Sequence, residues 1–116
     1  MSRNPLAGKT LRFSFEDGPM AGKTFEHVFE PGGAVRFRPM DSKGEATTEK
    51  KYEVASIGQD VCAVSYLGAS GYTLTVVLDF RTKKLVAFSS NEKMLAMQQG
   101  TFEEVDNAAR TPHAMR

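Results

Sequence analysis

A single histidine stands where the pattern of a half-buried strand places an apolar side chain. In MAGKTFEHVF, residues 20–29, the alternation of Phe25, His27 and Phe29 puts the imidazole on an apolar face. An imidazole can donate and accept hydrogen bonds and ordinarily titrates near neutral pH, so it could anchor a ligand or act as a general acid or base. A lone histidine on such a face can equally be a packed core residue.

The same segment has an earlier counterpart in the chain. LAGKTLRFSF, residues 6–15, aligns with MAGKTFEHVF without a gap, and Phe13 stands at the position of His27. His27 therefore occupies a slot suited to a buried aromatic ring. We predict that the two segments form the same turn followed by the same kind of strand.

Other side chains on the predicted inner face could share a site with the histidine. Tyr52 and Tyr66 would add two phenols to an apolar wall, and an apolar wall with few polar groups is typical of small-ligand pockets. Either tyrosine could instead pack at the rim or in the core. Cys62 has no electropositive neighbours in sequence that would activate it, so it is interpreted as a small buried hydrophobe. The predicted ligand-binding residues are His27, Tyr52, Tyr66, Phe13, Phe37 and Cys62.

Metal and cofactor chemistry has little support in the sequence. The histidines are His27 and His113, and the second lies near the chain end, so a zinc site with two histidines would need that end folded inward. The stretch GPMAGKT resembles a phosphate-binding loop, but it is one residue short and precedes a strand instead of a helix. We predict no metal, no cofactor and no assigned catalytic residue.

Hydrophobic alternation with a period of two runs through most of the chain and predicts strands. The segment 39–50 is polar and aperiodic, which predicts a mobile loop or flap. Asn91 could also cap a short helix ending at Gln99, as an alternative to a last strand with Gly100 at a bulge or bend. The predicted strands are 10–16, 23–30, one around Val35 and Phe37, one around Tyr52 and Val54, 61–67, 72–80, 85–90 and 94–105.

Strands joined mostly by short turns, each with one apolar face, predict an antiparallel up-and-down barrel of eight strands. A barrel of this size is filled by side chains or holds one small ligand. The prediction is one domain over residues 1–116, with its core at about 6–105 and a polar tail at 106–116. Arg36 and Arg38 would lie on the outer face in this register.

The opening AGKTLRFSF with the following EDG, the KYEV strand and the run YTLTVVLDF resemble the MoaF-like family, named for molybdenum cofactor biosynthesis protein F. The resemblance covers most of residues 6–105 and implies a calycin, or lipocalin-like, barrel with a central cavity. Lipocalin-like folds include both carriers and enzymes, so the resemblance implies a cavity more directly than any role in cofactor synthesis.

Composition narrows the possible partners and location. A net charge of +1 gives no basic surface for nucleic acid or anionic lipid. No segment has the length and hydropathy of a signal peptide or a membrane span, and the chain has a single cysteine. We therefore expect a cytoplasmic protein that contacts neither nucleic acid nor membrane.

Three functions remain open from the sequence. The favoured one is a non-enzymatic barrel that holds a small hydrophobic or aromatic metabolite, with binding that changes around pH 6.5 as His27 titrates. The alternative is an enzyme that uses His27 as general acid or base on a phenolic or carbonyl compound. The third is a side-chain-filled barrel that forms a homodimer through the outer face of residues 72–80.

Overall fold

All regular secondary structure in the described part of the chain is β-strand, in one sheet. The computed structural model describes residues 4–40, 47–49, 51–68 and 71–105. Every strand pairing is antiparallel, with the spatial order β4-β3-β2-β1-β9-β8-β7-β6-β5, so the predicted all-β antiparallel class is confirmed. The strands are β1 Thr10–Phe15, β2 Thr24–Phe29, β3 Val35–Pro39, β4 Thr47–Glu49, β5 Tyr52–Ser56, β6 Val61–Leu67, β7 Thr73–Asp79, β8 Lys84–Ser90 and β9 Leu95–Val105.

The sheet forms a nearly closed barrel whose seam lies between β4 and β5. Because all pairings are antiparallel and β1 pairs with β9, the two seam strands must run in the same direction. β4 pairs with β3, and β5 pairs with β6. The backbone N–H of Tyr52 reaches across to the carbonyl of Gly33 at 2.9 Å. The up-and-down barrel is as predicted, but the described residues form nine strands where eight were expected.

Strand β4 lies inside the segment that the sequence predicted as a loop. Thr47 and Thr48 are exposed and Glu49 is buried, so β4 has no apolar face for periodicity to detect. It is held by backbone pairing with β3 instead. At the start of the predicted flap, Pro39 instead ends β3 and Met40 follows it in a turn. Residues 41–46 and 50 of the flap lie outside the described residues, as does the predicted tail at 106–116.

Side chains alternate between an apolar interior and a more polar exterior. Burial of this interior is the main favourable contribution to folding. The buried apolar residues are Leu6, Leu11, Phe13, Phe15, Phe29, Val35, Tyr52, Cys62, Val64, Tyr66, Leu74, Val76, Leu78, Leu85, Ala87 and Phe102.

The outer face of β9, β1, β2 and β3 carries a row of alternating charges. In register across these strands stand Glu103, Arg12, Glu26 and Arg38. Glu26 is contacted by Arg12 at 3.1 Å and by Arg38 at 3.4 Å. Cross-strand pairs of opposite charge favour one register over its neighbours. Arg38 and the exposed Arg36 thus lie on the outer face, as predicted.

The outer face formed by β6, β7, β8 and the first residues of β9 is more apolar. Leu67, Phe88, Leu95 and Met97 are exposed there, and Phe88 stands opposite Met97 on the neighbouring strand. A homodimer through the outer face of residues 72–80, which belong to this region, stays a prediction.

Strands β1 and β2 form a hairpin in which the repeated segments are related by a local two-fold axis. The Gly8 N–H donates to the Phe29 carbonyl at 2.7 Å, and the equivalent Gly22 N–H donates to the Phe15 carbonyl at 2.8 Å. The two glycines have φ of 80° and 82°, a conformation that a Cβ disfavours. The predicted common turn and strand are confirmed.

The chain from Asn91 onward forms a turn and a strand, so the helical alternative is wrong. The Asn91 Oδ1 accepts the N–H of Met94 at 2.8 Å, which closes a turn where a helix cap was considered. Gly100 sits within β9, and a Cβ at this position would collide with the Ser14 carbonyl of β1. Glycine here permits a close approach of two strands without ending the strand.

No helix in the described ranges is long and apolar enough to cross a membrane.

Candidate functional site

The barrel interior is open at one end. A cavity of about 300 Å³ lies at the end that carries the β1–β2, β6–β7 and β8–β9 turns. No Asp, Glu, Lys or Arg is among its described lining residues, so the described wall is uncharged. The alternative prediction of a barrel completely filled by side chains is therefore wrong. The lining residues are Phe15, Pro19, Met20, Phe25, His27, Phe37, Tyr66, Tyr72, Leu74, Ser89, Ser90, Asn91, Met94, Ala96 and Gln98.

Small side chains on β8 and β9 create the space. Ser89 and Ala96 face each other in register at the cavity end of these strands. Towards the opposite end, the inward positions are occupied by Leu85, Phe102 and the neighbouring Leu78, all of which are buried. The same pair of strands therefore fills one end of the barrel and leaves the other empty.

A hydrogen bond between His27 and Tyr66 crosses the interior. The His27 Nε2 lies 3.0 Å from the Tyr66 hydroxyl, and the two side chains are 2% and 5% exposed. β2 and β6 are not neighbours in the sheet, so this bond spans the barrel. It is the Tyr66 hydroxyl's one hydrogen bond within the described residues. A phenol has one donor and two acceptor sites, so a free site remains whichever imidazole tautomer is present.

The imidazole ring lies in a stack of aromatic rings. Phe13 stacks on it with ring centroids 4.4 Å apart, and Phe37 stacks with centroids 5.5 Å apart and an interplanar angle of 19°. Phe13 occupies this place because the local two-fold axis brings the equivalent positions of the two repeats together. Rings on both sides keep water away from the imidazole.

Burial lowers the pKa of His27 from 6.5 to about 3, because the imidazolium would lose its hydration. The Phe25 backbone opposes this shift in part, although its geometry leaves the His27 Nδ1 without a hydrogen-bond partner among the described residues. His27 is therefore neutral at physiological pH. The expected change in binding around pH 6.5 does not follow.

Tyr66 is held in its neutral form as well. Burial raises the pKa of its hydroxyl, and the nearby Tyr72 and Glu49 raise it further by electrostatic repulsion of a phenolate. Glu49 is buried on β4 at the barrel seam and is not among the cavity-lining residues. The cavity therefore presents a neutral phenol and a neutral imidazole, in a field that disfavours added negative charge.

The β1–β2 turn is fastened to β9 at the rim. The Gln98 Oε1 accepts the Met20 N–H at 2.8 Å, and the Asp17 Oδ1 accepts the Gln99 N–H at 2.7 Å. On the adjoining β8–β9 turn, Met94 is 65% exposed while lining the cavity. One wall of the entrance is thus fixed by hydrogen bonds, and a flexible thioether stands beside it.

The structure brings together part of the predicted site. His27, Tyr66 and Phe37 line the cavity, whereas Phe13 supports the imidazole from the core side. Tyr52 lies elsewhere, because its hydroxyl donates to the Glu30 carbonyl at 3.0 Å and accepts from the Asn4 amide at 2.8 Å.

Cys62 is also absent from the described cavity wall. It is 3% exposed in the packed core, and burial raises the pKa of its thiol, which keeps it in the unreactive neutral form.

Several lining residues escaped the sequence analysis. Ala96 and Gln98 take inward positions of the predicted last strand, and Ser89 does so on the strand before it. The alternation could have placed them on the inner face. Alanine and serine carry no chemical signal of their own, however, and their importance lies in their small size.

Among the described residues, no group of three or more histidine, cysteine, aspartate or glutamate side chains could hold a metal ion.

Comparison with known proteins supports the barrel. Residues 2–93 match the family model of the MoaF N-terminal domain. A crystal structure of a Burkholderia vietnamiensis protein described as a "putative beta-lactamase" aligns with a TM-score of 0.75 at 20% sequence identity, over 90% of this chain and 100% of that one. At this identity the likeness concerns the fold alone. No curated protein matches the chain.

Proposed function

The chain belongs to the MoaF N-terminal domain family, and from its uncharged cavity we propose that it reversibly binds a small hydrophobic or aromatic molecule without transforming it. The observation that carries this proposal is the buried His27–Tyr66 hydrogen bond at an uncharged and largely apolar cavity. A mostly apolar wall with a small number of polar groups is the usual construction of a small-ligand site. The ligand's apolar body would lie against the aromatic wall and its polar group at Tyr66.

The size of the cavity limits the ligand. At about 300 Å³ it lies at the lower end of the volumes usual for ligand pockets. An apolar cavity of about 150 Å³ is enough to bind benzene. The space thus suits a ligand of one to three aromatic rings better than a long lipid chain.

Acid–base catalysis by His27 finds little support in this geometry. A general base works best with a pKa near the ambient pH, and the pKa of His27 is lowered to about 3. The raised pKa of Tyr66 makes it a poor acid at neutral pH. The pair is better suited to recognising a polar group than to moving a proton.

The structural neighbour's description raises the question of hydrolysis. Ser90 and Lys93 have the S-x-x-K spacing of serine beta-lactamases, which belongs to a specific catalytic framework. Here Ser90 ends β8 and Lys93 lies in an exposed turn outside the described cavity wall. We expect no hydrolysis of a chromogenic cephalosporin, and turnover abolished by Ser90→Ala would contradict this.

We further propose that the barrel is related to the lipocalin-like proteins and that the protein is cytoplasmic. A cytoplasmic location fits a chain whose single cysteine leaves it without internal disulfides.

The proposal is tested by filling the cavity. The neutral fluorophore N-phenyl-1-naphthylamine is titrated into the wild type and into Ala96→Trp, whose indole would occupy the cavity. Ala55→Trp is the matched control, because Ala55 is exposed on β5. Saturable fluorescence in the wild type and Ala55→Trp, and its loss in a folded Ala96→Trp, is the expected result.

Ser89→Leu provides a second way of filling the space if Ala96→Trp does not fold. Equal binding by a folded filled variant and the wild type, or no saturable binding by the wild type, would overturn the proposal. Native mass spectrometry of the freshly purified protein then identifies any ligand that remains bound.

A further inference from the structure

The charges around the cavity are distributed in a way that selects among ligands. The charged row of Arg12, Glu26 and Arg38 lies on the outer face of the barrel, with the sheet between it and the cavity. The buried carboxylate of Glu49 lies outside the described cavity lining, and its effect on Tyr66 opposes negative charge. A carboxylate entering the cavity would meet no cation among the described lining residues.

A positively charged ligand would also bind weakly. Glu49 does not line the cavity, and an ammonium group would lose its water without gaining a contacting carboxylate. His27 would not take up a proton from the ammonium group, because burial lowers the pKa of its imidazole to about 3. Burying an unpaired charge is far more costly than burying a neutral polar group that finds a hydrogen bond.

A neutral hydroxyl or amide group on a ligand can form a hydrogen bond with the Tyr66 hydroxyl. The Tyr66 oxygen keeps free hydrogen-bonding capacity beside its bond to His27. Resting on the proposed small-molecule binding, we propose that the site is selective for uncharged ligands, namely ring compounds with a neutral hydroxyl or amide group, and that it rejects the anionic and cationic analogues of the same shape. Two forms of one compound that differ by a proton would thus be distinguished.

The test uses four matched naphthalenes: naphthalene, 2-naphthol, 2-naphthoate and 2-naphthylmethylammonium. Affinities are measured at pH 7 by displacement of N-phenyl-1-naphthylamine from the wild type and by calorimetry. We expect 2-naphthol to bind most tightly, the ammonium compound to be at least about tenfold weaker and the carboxylate at least about 100-fold weaker, in keeping with the cost of burying an unpaired charge. Naphthalene should bind without the contribution of the hydroxyl group.

Tyr66→Phe identifies the anchor. It should weaken 2-naphthol binding by about fivefold to tenfold, the usual net contribution of one hydrogen bond, and leave naphthalene binding unchanged. Tyr52→Phe is the matched control, because it removes a phenol that lies outside the cavity lining. Its affinities should equal those of the wild type.

The outcomes separate the two proposals. If naphthalene and 2-naphthol bind but either charged analogue lies within tenfold of 2-naphthol, charge selection is overturned and small-molecule binding stands. If neither neutral compound binds, nor the fluorophore, small-molecule binding fails and charge selection fails with it. Equal loss of naphthalene and 2-naphthol binding in Tyr66→Phe would contradict the assignment of the hydroxyl as the anchor.

Discussion

Phe13 and His27 occupy equivalent positions of two similar segments, yet they have opposite roles. Their rings stack at 4.4 Å across the local two-fold axis of the hairpin. Phe13 packs further against Phe102, with centroids 6.5 Å apart, in the filled part of the interior. His27 instead meets Tyr66 and lines the cavity. A repeated local frame thus acquires a site where the surroundings leave room and supply a polar partner.

The difference teaches that the repeat determines the position of a side chain, and the opposite wall determines its chemistry. The backbone bonds at Gly8 and Gly22 are equivalent in the two copies. Across the interior, Ser89 and Ala96 leave space near His27, while bulkier residues occupy the other end of the same strands. Substitutions that alter the packing, the titration, the hydrogen bond or the turns of the two copies test this explanation.

The largest effect should come from Phe13→His, which places a histidine in the filled part of the interior. Phe13→His would bury a polar ring without a partner and reduce packing, so we expect a loss of about 3 kcal/mol in the free energy of unfolding. Urea denaturation measures it. His27→Phe is the reciprocal control and should keep or raise stability, because the first repeat already uses phenylalanine there. A loss below about 1 kcal/mol in Phe13→His would show that the two positions are interchangeable.

The next largest effect is on the pH dependence of the free energy of unfolding. The folded pKa of His27 is about 3 against 6.5 in the unfolded chain, so between these values the unfolded state binds the extra proton and stability falls as pH falls. From pH 7 to pH 5 the wild type should lose about 2 kcal/mol more than His27→Phe. Other titrating groups are common to both proteins and cancel in the comparison. Parallel pH profiles of the free energy of unfolding would show that His27 titrates normally.

A smaller loss of stability should follow removal of the Tyr66 hydroxyl, the hydrogen-bond partner of His27. Tyr66→Phe leaves the His27 Nε2 without its hydrogen bond, which should cost about 1 to 2 kcal/mol of stability. In the His27→Phe background the same substitution should cost much less. Denaturation of the two single variants and the double variant gives the coupling energy. A coupling near zero would mean that the hydrogen bond contributes nothing to stability.

The smallest effect tests the equivalence itself. Gly8→Ala and Gly22→Ala each place a Cβ at positive φ in otherwise open space, so the cost is backbone strain of about 1 kcal/mol. The two losses in melting temperature should agree closely. A clear difference between them would show that the two turns are not energetically equivalent.

The sequence predicted the barrel well because alternation reports directly on which side chains face inward. It failed at Thr47–Glu49, where backbone pairing forms a strand without an apolar face. Asn91 was ambiguous, because the same side chain can cap a helix or close a turn. Both readings agree with the local sequence, and pairing with β8 decides between them.

The site was only partly predictable. Alternation placed His27, Tyr52 and Tyr66 on the inner face, but it carries no information on which of them meet across the barrel. That depends on the tilt and stagger of the strands, which join His27 to Tyr66 and direct Tyr52 to Glu30. The cavity was equally hidden, because empty and filled interiors have the same alternation.

The measurement that tests the central claim most directly is a crystal structure of the protein soaked with 2-naphthol. The account predicts the rings within the cavity between the β8–β9 wall and Phe37, with the ligand hydroxyl within hydrogen-bond distance of the Tyr66 hydroxyl. In crystals of Ala96→Trp the cavity should contain the indole and no ligand. A ligand bound on the outer face, or in the cavity with its hydroxyl directed away from Tyr66, would contradict it.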